Sequence, residues 1–138
     1  MPEIQINEGI PTPDEFLSLR RSVNWPIPDE EAVARAMAGT TYGVTAQVNG
    51  KTVGMVRVVG DGSLTFLVHD LVVHPDYQRQ GIGTRLMDAL MAYVNKHARR
   101  KAYIATFSAP GIQHFYSRYG FVERPGKSGA PGMVYFKD

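Results

Sequence analysis

The chain predicts an α+β fold, a mixed central β-sheet with helices on both faces, and three observations carry that prediction. Two runs rich in β-branched residues flank Asn49-Gly50, the dipeptide of a tight type I′ hairpin, so part of the sheet is antiparallel. An amphipathic segment over residues 81–97 joins an apolar run ending at Val73 to another over 103–107, and a helical crossover of that kind makes its two strands parallel. The 138 residues, 43% of them apolar, suffice for one domain over 1–138 with a core of its own.

The elements follow in order. Ile4-Gln5-Ile6 alternates and predicts a short first strand. Thr12-Pro13-Asp14-Glu15 opens a helix: Thr12 caps, Pro13 takes the first helical position and Glu15 stands three after the cap. That helix turns Phe16, Leu17 and Leu19 inward and ends near Arg21, before Pro26-Ile27-Pro28 breaks the chain. Asp29-Glu30-Glu31 starts a second helix running to Met37, with Gly39 as its stop. Strands over 42–48, 52–59 and 64–73 form a meander, the last two joined by Gly60-Asp61-Gly62. The stripe Ile82, Leu86, Leu90, Tyr93, Val94 fits the next helix. A short helix over 112–118 and strands over 121–122 and 133–136 complete the reading.

Composition excludes several classes. With no cysteine there is no disulfide framework, thiolate metal site or cysteine nucleophile. His69 and His74 lie on opposite faces of a regular strand, so no metal site is expected. No run approaches the ~20 apolar residues of a membrane span, and Met1-Pro2-Glu3-Ile4 does not resemble a signal peptide, so a cytoplasmic protein is expected. The net charge of +2 is mild, and the basic run over 96–101 complements a helix C-terminus rather than marking a nucleic-acid surface. An apolar terminal strand over 133–136 would need an edge to cover it, which suggests a homodimer.

The stretch from Leu71 to Thr84 carries the chemistry. Leu71-Val72-Val73 is apolar on both faces, as in a covered strand. Gln78-Arg79-Gln80-Gly81-Ile82-Gly83-Thr84 then turns directly into the amphipathic helix. A helix start presents unpaired N–H groups and a positive dipole end, and glycines there let anion oxygens approach. Arg79, Gln80 and the Thr84 hydroxyl add donors. Coenzyme A, a phosphate anion at one end and a thin amide-rich chain at the other, suits such a place. Two rivals fail. A dinucleotide fold requires a third glycine where Leu86 stands. Gly126-Lys127-Ser128 resembles the end of a P-loop, but Phe121 occupies its first glycine position and Gly129-Ala130-Pro131-Gly132 cannot start the required helix.

The order of strand, Val73-His74-Pro75, Gln78-x-x-Gly81-x-Gly83, amphipathic helix, strand and Phe115-Tyr116-Ser117-Arg118-Tyr119-Gly120-Phe121 resembles the GNAT superfamily of acetyl-CoA-dependent N-acetyltransferases, from about Tyr42 onward. The resemblance implies two parallel strands that splay apart to admit acetyl-CoA. It implies that Leu71, Val72 and Val73 face the pantetheine arm and that Arg79, Gln80, Gly81, Ile82, Gly83 and Thr84 surround the pyrophosphate. Tyr116 holds the place of the family's tyrosine beside the coenzyme sulfur, as acid for the departing thiolate. Ala109 stands where many members have an asparagine, and the neighbouring Ser108 is the expected substitute. The Arg57 to Gly62 turn and the acid before Leu71 look similar to chloroplast-type serotonin N-acetyltransferases, which points to an aromatic or alkyl amine.

Asp70 interrupts an apolar strand, and a buried carboxylate requires a partner. It is read as a base or a clamp on the acceptor amine, with a purely structural hydrogen bond as the alternative. If the strand is regular, His69 points away from it. Trp25, between the first two helices, is expected to border the acceptor pocket or else plug the core. The function expected is acetyl transfer to a primary amine of a small molecule by direct attack. Alternatives are a silent coenzyme A-binding regulatory domain and a peptide or protein N-acetyltransferase.

Overall fold

The structure is a computed structural model that describes residues 2–125 and 131–137. Its chain divides into two units, Met1–Thr106 and Phe107–Asp138.

In the first unit, Thr12 starts helix α1 (Pro13–Ser22) through a reciprocal capping box: the Thr12 hydroxyl accepts from the Glu15 amide at 3.1 Å, and the Glu15 carboxylate accepts from the Thr12 amide at 2.8 Å. Asp29 caps α2 (Glu30–Ala38) by accepting from the Ala32 amide at 2.9 Å. Five strands form one sheet in the order β1 (Ile4–Glu8), β2 (Tyr42–Val48), β3 (Lys51–Gly60), β4 (Thr65–Val73), β5 (Tyr103–Thr106). All neighbours are antiparallel except β4 and β5, which the crossover helix α3 (Ile82–His97) makes parallel. Asn49 and Gly50 both have positive φ, at 51° and 77°, as the type I′ turn between β2 and β3 requires.

The core lies on both faces of the sheet. On one, Phe16, Leu17 and Leu19 of α1 and Val33 and Met37 of α2 close over Met55 and Val72. On the other, α3 buries Ile82, Leu86, Met87, Leu90, Met91 and Val94. Gly54 permits α3 to sit directly on β3, since a Cβ there would stand 3.1 Å from the Leu86 Cδ1. Tyr93, expected on the apolar stripe, is half-buried and stacks on Tyr42 with ring centroids 3.8 Å apart.

At the β3–β4 turn the Asp61 carboxylate accepts from the amides of Ser63, Leu64 and Thr65, which hold its carboxyl below the ordinary carboxylate value. A Cβ on Gly60 would overlap the Thr65 carbonyl oxygen. Gly60→Ala is therefore expected to lower stability by about 1–3 kcal/mol, read as a lower urea midpoint at unchanged slope. An unchanged midpoint would show that the turn relaxes freely.

Among the described residues the second unit holds one short helix, α4 (Gln113–Ser117), inside the expected 112–118. The strands expected over 121–122 and 133–136 do not form. Val122, Met133, Tyr135 and Phe136 are exposed, and a strand needs a neighbour to take its N–H and C=O groups. The homodimer argument built on that strand loses its basis with it. Of the stretch tested as a P-loop, residues 126–130 lie outside the described residues, and no helix follows at 131–132. Among the described residues no helix is long and apolar enough to cross a membrane.

Candidate active site

β4 is the organising element. Its parallel pairing with β5 ends at Val68 and Thr106, where the Thr106 hydroxyl also donates to the Val68 carbonyl at 3.0 Å. Pairing with β3 continues to Val73. Among the described residues, β4 from His69 onward is thus hydrogen-bonded to a strand on its β3 side only. Leu71 and Val73 are half-buried there, while Val72 is a core residue under α1. The Val73 carbonyl already accepts from Gln78 Nε2 at 2.9 Å, so Gln78 ties the strand end to the turn that follows.

That turn runs through a 3-10 helix (Pro75–Tyr77) and two left-handed residues, Arg79 at φ 64° and Gly81 at φ 79°, into α3. Gly81 is the N-cap and has no side chain to offer the first amides; the first helical bond joins the Arg85 amide to the Gly81 carbonyl at 3.1 Å. The other helices offer a contrast. α1 and α2 each neutralise their positive end with carboxylates, Asp14 and Glu15 in one, Asp29, Glu30 and Glu31 in the other. The first turn of α3 carries no acid, and Arg79 precedes it. A Cβ built on Gly81 or Gly83 meets nothing within 4 Å, so the space beside both glycines is open. Arg79, Gln80 and Gly81 are exposed, Gly83 and Thr84 half-buried. Ile82 is 1% exposed and anchors the helix in the core. Such an arrangement is chemically able to accept an anion.

Asp70 sits at a β-bulge. Arg57 pairs with His69 and Met55 with Val72, so β4 spends three steps where β3 spends two. Asp70 has φ 57°, the left-handed region that an aspartate tolerates better than most residues. The extra residue flips the alternation: Val68 pairs with Val58 on the α3 face, whereas Val72 joins the α1–α2 core. The regular strand assumed for His69 and Asp70 is absent, and their side chains meet, with His69 Nδ1 2.8 Å from Asp70 Oδ2.

Two arginines complete the cluster. Arg20 of α1 donates to Asp70 Oδ1 at 2.6 Å and Arg57 of β3 to Oδ2 at 2.7 Å. The Asp70 side chain is 1% exposed and the arginines 12–13%. Burial alone pushes the Asp70 carboxyl up; the hydrogen bond and charge of His69, then those of Arg57, override it and hold the carboxyl below its ordinary value. A carboxylate so engaged accepts from fixed donors and has little capacity left to take a proton from substrate. This geometry favours the structural alternative over Asp70 as the base itself. Arg57 also donates to the Thr40 hydroxyl at 3.1 Å.

Trp25 is half-buried against the α1–α2 core, with the Arg20 guanidinium 5.3 Å from its ring centroid and the same distance from that of Phe16. Arg20 Nε donates to the Pro26 carbonyl at 2.9 Å. Trp25 thus reaches Asp70 through one shared arginine. Arg20 and Arg57 were not expected from sequence as partners of Asp70, and His69 was expected to point away from it. Arg57 had a visible signal, since a guanidinium amid the apolar run Val53 to Val59 demands a carboxylate.

In the second unit Tyr116 is buried on α4, edge-on to Phe115 and Phe121 with centroids 5.2 and 6.0 Å away. The hydroxyl of the half-buried Ser108 donates to the Ala109 carbonyl at 2.7 Å.

Residues 21–132 match the acetyltransferase (GNAT) domain family. An uncharacterised N-acetyltransferase of the red alga Pyropia yezoensis is 32% identical over 91 residues, 64% of this chain and 48% of that one. A chloroplastic serotonin N-acetyltransferase of rice, Oryza sativa subsp. japonica, is 28% identical over 119 residues, 83% of this chain and 58% of that one. The chain thus spans about half the length of the curated relatives it matches. The crystal structure of a probable acetyltransferase of unknown function from meticillin-resistant Staphylococcus aureus superposes with a TM-score of 0.86 at 25% identity, covering 96% of this chain and all of that one. With most of its length matched, and with the mixed sheet, the one-sided end of β4 and the acid-free helix start in place, this chain belongs to the GNAT family of acetyltransferases.

Proposed function

We propose that the chain transfers the acetyl group of acetyl-CoA to a primary amine of a small molecule by direct attack in a ternary complex. The start of α3 carries this reading. Among the described residues, two of the three long helices fill their positive end with their own carboxylates, and the third pairs an acid-free first turn with glycines that open onto space. A diphosphate fits that seat, with the amides of Ile82 and Gly83 as donors and Arg79, Gln80 and Thr84 beside them. The one-sided end of β4 offers backbone groups to the amides of a pantetheine arm, as a missing strand would. Acetyl-CoA supplies the activated thioester. The sequence has no cysteine to carry a covalent acetyl group, which favours direct attack.

Tyr116 is assigned as proton donor to the departing thiolate, on its place in the Phe115-Tyr116-x-x-x-Gly120-Phe121 motif. Ser108 is assigned to the coenzyme where the family motif has an asparagine at Ala109. Trp25 is assigned to the acceptor side, and its flat ring together with the similarity to a serotonin N-acetyltransferase favours an aromatic or alkyl amine. Asp70 holds Arg20, and through it Trp25, in place.

The test is a thermal-shift titration with acetyl-CoA followed by thiol release over a panel of amines. The expected result is a raised melting temperature and release with alkyl or arylalkyl amines. Failure to bind acetyl-CoA ends the reading, and binding without release on any amine makes the chain a coenzyme-sensing module. Tyr116→Phe is expected to lower kcat by roughly 10-fold or more with the KM for acetyl-CoA little changed, the pattern of a group acting in the transition state. Full turnover in that variant would remove the acid from Tyr116.

A further inference from the structure

Two guanidiniums close on one buried carboxylate, which leaves their cluster with one positive charge in excess. We infer that Arg20 and Arg57 together bind an anionic group of the acceptor, so the favoured acceptor is an amine that also carries a carboxylate. The inference rests on the acetyl-transfer reading above and deepens it by naming the substrate class.

Burial of Asp70 accounts for only one of the two arginines. A buried carboxylate requires one cation to balance it, and either Arg20 of α1 or Arg57 of β3 would suffice. Among the described residues no second carboxylate lies within 4 Å of either guanidinium, and His69, the remaining member of the cluster, can only add positive charge. Donors are in surplus as well. Arg20 spends Nη1 on Asp70 and Nε on the Pro26 carbonyl, while Arg57 spends Nε on Asp70 and Nη1 on the Thr40 hydroxyl. Among the described residues Nη2 of each arginine donates to nothing, and no buried side-chain nitrogen lacks a partner, so both Nη2 groups reach the surface.

The two guanidiniums are neighbours: both lie against the Phe16 ring, 5.3 and 5.7 Å from its centroid, and they grip different oxygens of Asp70. Adjacent charged N–H donors match the two oxygens of a carboxylate. The donors are held in place before any ligand arrives, so little ordering is lost on binding. Their position suits an acceptor. Trp25, assigned to the acceptor side, packs on Arg20. Arg57 pairs with His69, the first residue of β4 beyond its last rung with β5.

Matched acceptors test this through thiol release at saturating acetyl-CoA: phenethylamine against phenylalanine, and hexylamine against 6-aminohexanoate. In at least one pair kcat/KM is expected to be roughly 10- to 100-fold higher for the member with the carboxylate, the range of charge-assisted hydrogen bonds. No preference in either pair overturns the proposal, and so does a preference for 2-aminoethyl phosphate over β-alanine, which would make the anion a phosphate. Arg20→Gln and Arg57→Gln each remove the excess charge and leave Asp70 one guanidinium, so each should abolish the preference. A merely structural role would lower both rates and keep their ratio, which also overturns the proposal. Should neither variant fold, wild-type inhibition decides. The acid 3-phenylpropanoate, which has no amine, should compete with the acceptor rather than with acetyl-CoA, and more strongly than the neutral 3-phenylpropanamide; equal inhibition by the two overturns the proposal. A wild type that releases no thiol with any acceptor brings down the acetyl-transfer reading and the acceptor class with it, whereas release at equal rates within each pair brings down the acceptor class alone.

Discussion

Gly83→Val is expected to weaken acetyl-CoA binding by roughly 100-fold while leaving the melting temperature unchanged or slightly raised. The two halves of this prediction have separate causes. The backbone of Gly83 lies in the first turn of α3, and a Cβ there meets nothing within 4 Å, so the folded chain accommodates a side chain. Valine also has a somewhat better helix propensity than glycine, by a few tenths of a kcal/mol. The open space is the seat proposed for the diphosphate, and the valine methyls would hold its oxygens away from the amides. A charge-assisted hydrogen bond contributes about 1.5–3 kcal/mol, so two weakened bonds suffice for the stated loss. Calorimetric titration with acetyl-CoA, beside a melting curve of the free protein, separates the outcomes. Wild-type affinity would move the anion seat away from this turn, and a large drop in melting temperature would make Gly83 a folding residue.

Asp70→Asn has the opposite profile. It leaves Arg20 and Arg57 converging on a neutral amide in a place where both guanidiniums are almost covered. Removing one partner of a buried ion pair costs about 3–5 kcal/mol, enough to lower the melting temperature by on the order of 10 °C in a chain of this size. The pH dependence has a definite sign. The Asp70 carboxyl lies below its ordinary value in the folded chain, so its contribution is fully present above the unfolded value, ~3.9, and is lost as pH falls through the folded one. Wild-type stability should therefore decline on acidification below about pH 4 by more than that of Asp70→Asn, whose deficit is largest at neutral pH. Melting curves by circular dichroism across the acid range give both numbers. Equal melting temperatures at neutral pH would mean that the arginines find other acceptors, and the positioning role of Asp70 would fall.

Local patterns in the chain were enough for most of the first unit. Thr12-x-x-Glu15, Asn49-Gly50 and the stripe from Ile82 to Val94 are signals whose physics is complete within a few residues, and each element forms where its pattern lies. The acid-free, glycine-bearing start of α3 was legible for the same reason. The strand expected over 133–136 failed on the converse ground, because an apolar run becomes a strand only beside another one. Asp70 was legible as a residue in need of a partner, but which partner it had was not.

By itself, then, the sequence determined the order of elements in the first unit, the acid-free start of α3 and the presence of a carboxylate inside an apolar strand, all of which rest on neighbours within a few residues. Only the tertiary structure decided that β4 takes an extra residue against β3, and that Arg20, 50 residues from Asp70 along the chain, and Arg57, 13 residues away, close on the same carboxylate. A bulge depends on the register of two strands, and a buried charge is satisfied by whichever cation the packed helices deliver. Neither can be read from the period of one strand, and together they turn His69 toward Asp70.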